Sequence, residues 1–162
     1  MAKYKKMTSI AFAIKDLGPN QIAYTCITNL NKWIENNYGV DPVLFFEEIA
    51  VPCVEPNCAR YHTYNTCQYY GNLIYTDIDT LYNTYKICPA KKIFYIYDIA
   101  KNLKDDRFGT LLNDKNIIKI FRTKDYYNKI KSLGFKLDDN IVIDFNIDDI
   151  IKVIKNEEAR NN

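Results

Sequence analysis

Apolar residues along this chain fall into short runs that alternate with stretches of helical spacing. Ser9-Ile10-Ala11-Phe12-Ala13-Ile14 is a continuous apolar run of the length and density of a buried strand. Lys15-Asp16-Leu17-Gly18-Pro19-Asn20 breaks it. From there Ile22, Ala23, Cys26, Ile27, Leu30, Trp33 and Ile34 recur every three or four residues, which predicts a helix with one buried face. Asn36-Asn37-Tyr38-Gly39 ends that helix, and residues 42–48 read as a second strand that turns polar at Glu47 and Glu48. A third strand is predicted over 72–76, followed by a helix over 77–85. A fourth covers 91–98, with apolar or aromatic side chains at every position from 93 to 97, as in a strand covered on both faces.

The second half continues the alternation. Residues 99–115 read as an exposed connection holding short helical pieces. Residues 116–121 read as a fifth strand, and Thr123 as the N-cap of a helix ending at Leu133-Gly134. Asn140-Ile141-Val142-Ile143-Asp144-Phe145 reads as a sixth strand. Asn146, with Asp149 three residues on, is placed to cap a last helix that buries Ile147, Ile150, Ile151 and Ile154 and frays over 156–162. The segment 49–71, with Pro52 and Pro56, has only a weak helical patch over 59–70. Residues 1–8 carry Lys3, Lys5 and Lys6 and read as a solvated lead-in, with a nucleic-acid arm as the alternative.

Six apolar strands separated by helices predict an α/β fold: a single doubly wound, mostly parallel six-stranded sheet with helices on both faces. No repeat or linker divides the chain, so residues 1–162 are expected to form one domain with an ordered core over about 9–155. The order expected of such a sheet is 3-2-1-4-5-6 in the strand numbering above. It sets strand 1 beside strand 4 and opens a crevice between residues 15–21 and 98–101.

Composition narrows the picture. With 162 residues, about two-thirds of the unfolded surface can be buried, enough for a sizeable core. The 22 basic and 20 acidic side chains nearly balance, which argues against a field suited to nucleic acid. No apolar run reaches the roughly 18 residues of a membrane span, and the first residues are too polar for a secretory leader; a soluble intracellular protein is expected. Five cysteines, an odd number, disfavour a disulfide framework. The 22 Ile, 18 Lys and 18 Asn against 4 Arg follow an AT-rich coding bias, so no one of the 14 Tyr carries weight alone.

Several residues are candidates for chemistry. Gly18, Pro19 and Asn20 stand between a strand and a helix, where backbone N–H groups can receive an anion or a hydroxyl-rich ligand; the competing explanation is that Gly18 and Pro19 shape the turn and start the helix. A G-x-G-x-x-G fingerprint and a P-loop lysine are absent. Asp98, at a strand end, can accept bonds from sugar or ribose hydroxyls, and Arg122 or Lys15 can meet a phosphate. Glu47, Glu48, Asp77 and Asp144 share the same predicted rim, where polar residues also arise simply because buried strands surface. Asp77-Ile78-Asp79 has the spacing to hold a divalent metal on a diphosphate, and helix capping is the competing explanation. Cys53, Cys58, His62 and Cys67 supply four donors within fifteen residues, the count of a structural zinc site, although the spacing matches no compact knuckle. Tyr61, Tyr64, Tyr69, Tyr70 and Tyr75 can stack bases or sugars, or form a partner surface.

The segments Ser9-Ile10-Ala11-Phe12, Leu17-Gly18-Pro19-Asn20-Gln21, Lys91-Lys92-Ile93-Phe94-Tyr95-Ile96-Tyr97-Asp98 and the closing stretch 140–154 resemble a small Rossmann-like protein of large tailed phages, itself similar to one half of a GT-B glycosyltransferase. The resemblance covers residues 9–155. It implies nucleotide-sugar as the ligand, the Gly18 loop facing a cleft, and a location in the host cell cytoplasm or on the virion. A GT-B enzyme needs a second such domain for most of its donor. The resemblance therefore implies a domain that binds without catalysing, one that acts with another protein chain or by self-association, or a non-catalytic virion or interaction module.

Overall fold

A computed structural model describes residues 9–160; the lead-in read over 1–8 and the final two asparagines lie outside them. Six strands form one sheet: β1 (Ile10–Ile14), β2 (Val43–Phe46), β3 (Ala59–His62), β4 (Asn72–Tyr75), β5 (Lys91–Ile96) and β6 (Ile117–Phe121). The helices are α1 (Gln21–Asn36), α2 (Ile78–Thr84), α3 (Ile99–Asn102), α4 (Phe108–Asn113), α5 (Lys124–Ser132) and α6 (Ile147–Arg160), with short 3₁₀ turns at Thr63–Gln68 and Ile143–Phe145. The spatial order is β3-β2-β1-β4-β5-β6, and every pair is parallel. The doubly wound α/β sheet expected from the hydrophobic pattern is the one observed.

Pleating divides the core. Ile10, Phe12 and Ile14 of β1, with Leu44, Ile74, Ile93, Tyr95 and Ile120, face α1 and α6. Ala11 and Ala13, with Phe45, Leu73, Tyr75, Phe94, Ile96 and Phe121, face α2, α4 and α5. All of β1 is buried because it carries a strand on each side and a helical layer on each face. α1 buries Ala23, Cys26, Ile27, Leu30 and Trp33, the face its spacing predicted, and burying each larger apolar side chain is worth about 1.5–3 kcal/mol. Its N-cap is Asn20, whose side chain accepts from the Ala23 N–H at 2.8 Å. Thr123 caps α5 through the Tyr126 N–H, and Gly134, at φ +92°, turns the chain away after it. Asn146 caps α6 through the Asp149 N–H at 3.1 Å; the helix runs on to Arg160 rather than fraying from 156.

Two strand assignments change. The predicted sixth strand, 140–145, contributes only one parallel bridge, Phe121 with Ile141, before turning through Asp144 and Phe145 at φ +52° and +56°. The sixth strand is instead Ala59–His62, an edge strand of mostly exposed side chains beside β2. The neighbour of β1 is consequently 72–75, where the expected order had placed 91–98. Polar Arg60 and His62 hid β3 from a hydrophobicity reading. Val142 and Phe145 are drawn to a packing site that needs no pleat, while Ile143 is left exposed.

Candidate functional site

The chain crosses from the β2 side of β1 to the β4 side, so the reversal of strand order lies between β1 and β4. Beyond their carboxyl ends lies a crevice of about 480 Å³ lined by the loop after β1, the start of α1, Glu48, Thr76, Asp77, Tyr97, Asp98 and Lys101. Lys15, Asp16, Asn20 and Gln21 reach it from one side, and Asp98 and Lys101 from the other. The segments 15–21 and 98–101 therefore do meet, even though 91–96 is one strand further from β1 than expected. The crevice is not closed by 49–71. That segment instead braces the loop from behind: the Leu17 N–H donates to the Ile49 carbonyl at 3.1 Å, and the Cys53 N–H to the Leu17 carbonyl at 2.8 Å.

The loop after β1 is held by its own polar groups. The Gly18 N–H donates to Asp16 Oδ1 at 2.5 Å, and the Asn20 N–H to the Gly18 carbonyl at 2.7 Å. A Cβ at Gly18 would lie 2.8 Å from that Asp16 oxygen, so the residue is small because the Asp16 carboxylate folds back over it. Gly18 is buried and Pro19 exposed, and both shape the turn without lining the crevice; Asn20 lines it.

Charge at the rim is mostly paired. Lys15 Nζ contacts Asp79 Oδ2 at 2.8 Å and Glu48 Oε1 at 3.5 Å, and Arg107 Nη2 meets Asp79 Oδ1 at 2.5 Å. The hydrogen bonds from Lys15 and then from Arg107 hold the Asp79 carboxyl down at about 2, while the bond to Asp79 raises Lys15. Asp77 Oδ1 caps α2 through the Asp79 and Thr80 N–H groups at 2.9 and 3.2 Å, and its Oδ2 accepts from Lys101 Nζ at 3.1 Å. The D-x-D tripeptide is thus filled by capping and by three cations of the chain itself. Glu47 is turned away from the crevice, taking Thr80 Oγ1 and Asn83 Nδ2 at 2.7 Å each.

Because Asp79 titrates lower in the fold than the ordinary 3.8, its contribution is present above that value and is lost as pH falls through about 2. With 39% of the Asp79 side chain exposed, solvent screening limits the contribution to about 0.2–1 kcal/mol. Chemical denaturation between pH 5 and 2 should therefore show Asp79→Asn losing less stability on acidification than the parent. Parallel curves for the two proteins would refute the assignment.

Asp98 is exposed. Its Oδ1 accepts from the Lys101 N–H at 3.0 Å, capping α3, and its second oxygen has no partner among the described residues. Arg122 does not line the crevice. Its guanidinium lies 4.2 Å from the centroid of the Tyr97 ring, and Tyr97 forms part of the wall. Tyr97, whose hydroxyl is 3.4 Å from Thr25 Oγ1, and Thr76 were missed as site residues. Both end apolar runs and read as core; only their position one residue past a strand could have flagged them.

Among the described residues, no three His, Cys, Asp or Glu side chains are grouped to hold a metal ion. Cys53 and Cys67 are exposed and Cys58 is half-buried. Both ring nitrogens of His62 are engaged: Nε2 lies 2.8 Å from the Glu47 carbonyl, and Nδ1 accepts from the Tyr64 N–H at 3.3 Å. Burial pushes the Cys58 thiol up to about 11. Cys53, Cys58, His62 and Cys67 are not brought together as such a group. Tyr61, Tyr64 and Tyr70 are exposed around β3, whereas Tyr75 is buried with its hydroxyl 2.8 Å from Thr84 Oγ1.

The fold and crevice together define a Rossmann-like α/β domain. No protein-family model, curated protein or solved structure matches the chain. No helix among the described residues is long and apolar enough to cross a membrane.

Proposed function

We propose that this domain binds a nucleotide-sugar without catalysing transfer by itself, in the manner of one half of a GT-B glycosyltransferase. The observation that carries the reading is the crevice at the reversal of strand order, which sets the start of α1 opposite the unpartnered oxygen of Asp98. A ribose or hexose supplies the hydroxyl donors that this carboxylate accepts. The first N–H groups of α1, at Gln21 and Ile22, suit a phosphate oxygen. The volume, about 480 Å³, is that of a small-molecule site. Lys15, Asp77 and Asp79 are engaged in ion pairs and Glu47 in hydrogen bonds, so these rim residues offer no nucleophile with a paired base among the described residues, which favours binding over chemistry by the isolated chain.

Thermal unfolding against a panel of UDP- and GDP-sugars at millimolar concentration tests the proposal. A ligand at 100 times its Kd adds about 2.7 kcal/mol, a rise of roughly 5–10 °C for a chain of this size. Asp98→Ala should abolish the rise while leaving the unliganded midpoint within about 4 °C, since it removes only the cap of a one-turn helix. No shift across the panel would end the proposal.

The exposed tyrosines 61, 64 and 70 around edge strand β3 favour a second reading, a virion-associated or interaction module that self-associates or holds another chain. That reading requires a stable oligomer or copurifying partner by light scattering and no saturable small-molecule binding.

A further inference from the structure

The opposite edge of the sheet carries a different feature, independent of the crevice. At the end of β6 the chain begins a seventh strand: the Phe121 N–H donates to the Asn140 carbonyl at 2.8 Å, and the Val142 N–H to the Phe121 carbonyl at 2.9 Å. Continued backwards, that parallel register would set 137–139 beside 117–119. It is not continued. Phe135 and Leu137 pack against the core cluster that includes Ile130 of α5, and the place of the missing strand is a cavity of about 1290 Å³ bounded by 115–119, 134–138, Asn140 and Glu157.

The open edge has backbone groups to offer. Phe121 points its N–H and C=O away from β5, while the Arg122 N–H donates to Ile96 of β5 at 3.3 Å, so strand alternation aims the groups of Lys119 and Ile117 outward as well. The Lys119 carbonyl takes Asn140 Nδ2 at 3.2 Å. The Lys119 N–H and the Ile117 carbonyl have no partner among the described residues.

Charge states what would fit. Five lysines line the cavity, at 91, 115, 119, 131 and 136, against two acids, Asp138 and Glu157. Both acids lie beside Arg160, which stands outside the lining, at 3.4 and 3.1 Å, and share its single positive charge. Lys91 reaches Glu158 at 3.7 Å, and Lys119 is turned to the Asp114 carbonyl. Lys115, Lys131 and Lys136 face no carboxylate among the described residues, so the slot is positive beside an unpaired strand edge.

We infer that this slot is a docking site for an extended, acidic peptide segment of another protein, which adds as a parallel strand along residues 117–119 of β6. Main-chain bonds to Lys119 and Ile117 supply affinity, and acidic side chains at alternate positions meet the lysines. A free nucleic-acid strand offers the charge but lacks the amide ladder.

Fluorescence anisotropy with a labelled ten-residue peptide alternating valine and aspartate tests this on the full chain. Saturable binding is expected, weakened at least about tenfold by the double substitution Lys131→Glu and Lys136→Glu, by charge reversal of the peptide to valine and lysine, and by N-methylation of alternate peptide amides. Hydrogen exchange at the Lys119 amide should slow on binding. Absence of saturable binding at millimolar peptide, equal binding of the N-methylated peptide, unchanged Lys119 exchange, or tighter binding of an oligothymidylate than of the acidic peptide would each overturn the inference.

Discussion

Phe145→Ala is expected to lower the unfolding free energy by about 3–5 kcal/mol, the cost of deleting a fully packed aromatic side chain. The Phe145 ring is 1% exposed and lies 5.5 Å from Phe12 of β1 and 4.5 Å from Tyr95 of β5, measured between centroids. It is one of the contacts through which the turn before α6 is anchored to the middle of the sheet. Its backbone sits at φ +56° beside Asp144 at +52°, a conformation that costs a bulky residue about 1–2 kcal/mol. The ring's burial is what offsets that cost. Urea unfolding measures the effect directly. A loss below about 1 kcal/mol would mean that the turn does not depend on the ring, and that α6 is held by its own isoleucines alone.

Tyr95→Phe should cost about 2–3 kcal/mol through hydrogen bonding, with almost no change in volume. The Tyr95 hydroxyl donates to the Val142 carbonyl at 2.6 Å and accepts from the Phe145 N–H at 3.2 Å, and all three groups are buried. Burial pushes this hydroxyl up to about 12, so it remains a donor throughout the working pH range. Phenylalanine would leave a buried carbonyl and a buried N–H without partners. Because Tyr95 and Phe145 serve the same turn, the double variant should lose less than the sum of the two single losses. Strict additivity would show that the two contacts act separately.

These two residues also mark where a reading of the pattern departs from the structure. Tyr95 reads as one more aromatic in a covered strand, which it is, but nothing in its neighbours announces that its hydroxyl ties down residues 142–145. Phe145 reads as the end of a strand. Its burial is real, yet it comes from docking against Phe12 and Tyr95, and apolar density alone does not separate a pleated segment from a turn pressed into the core. The opposite error occurs at Ala59–His62, where Arg60 and Tyr61 are exposed because an edge strand is solvated and needs no apolar run.

The candidate site was legible in outline. The break after β1, the Gly18-Pro19-Asn20 turn and Asp98 at a strand end mark the rim, since polar residues following apolar strands must gather at the carboxyl edge of a parallel sheet. The pairings there were not legible. Asp79 lies 64 residues from Lys15 and 28 from Arg107, and their contacts exist only because α2 and the loop before α4 come to the same corner. The same applies to His62, whose spacing to three cysteines suggested zinc and whose ring nitrogens instead serve a neighbouring carbonyl and a 3₁₀ turn.

By itself, the order of residues along this chain determined the alternation of strand and helix, the parallel class of the sheet, and the local caps at Asn20, Thr123 and Asn146. Each depends on interactions among residues a few positions apart, or on whether one or both faces of a segment are apolar. Tertiary structure alone decided which strand lies beside β1, which carboxylates are occupied by lysine and arginine, and that the edge of β6 stays open. Those outcomes depend on packing between distant segments, where shape and the satisfaction of buried polar groups select among arrangements that the hydrophobic pattern leaves nearly equal.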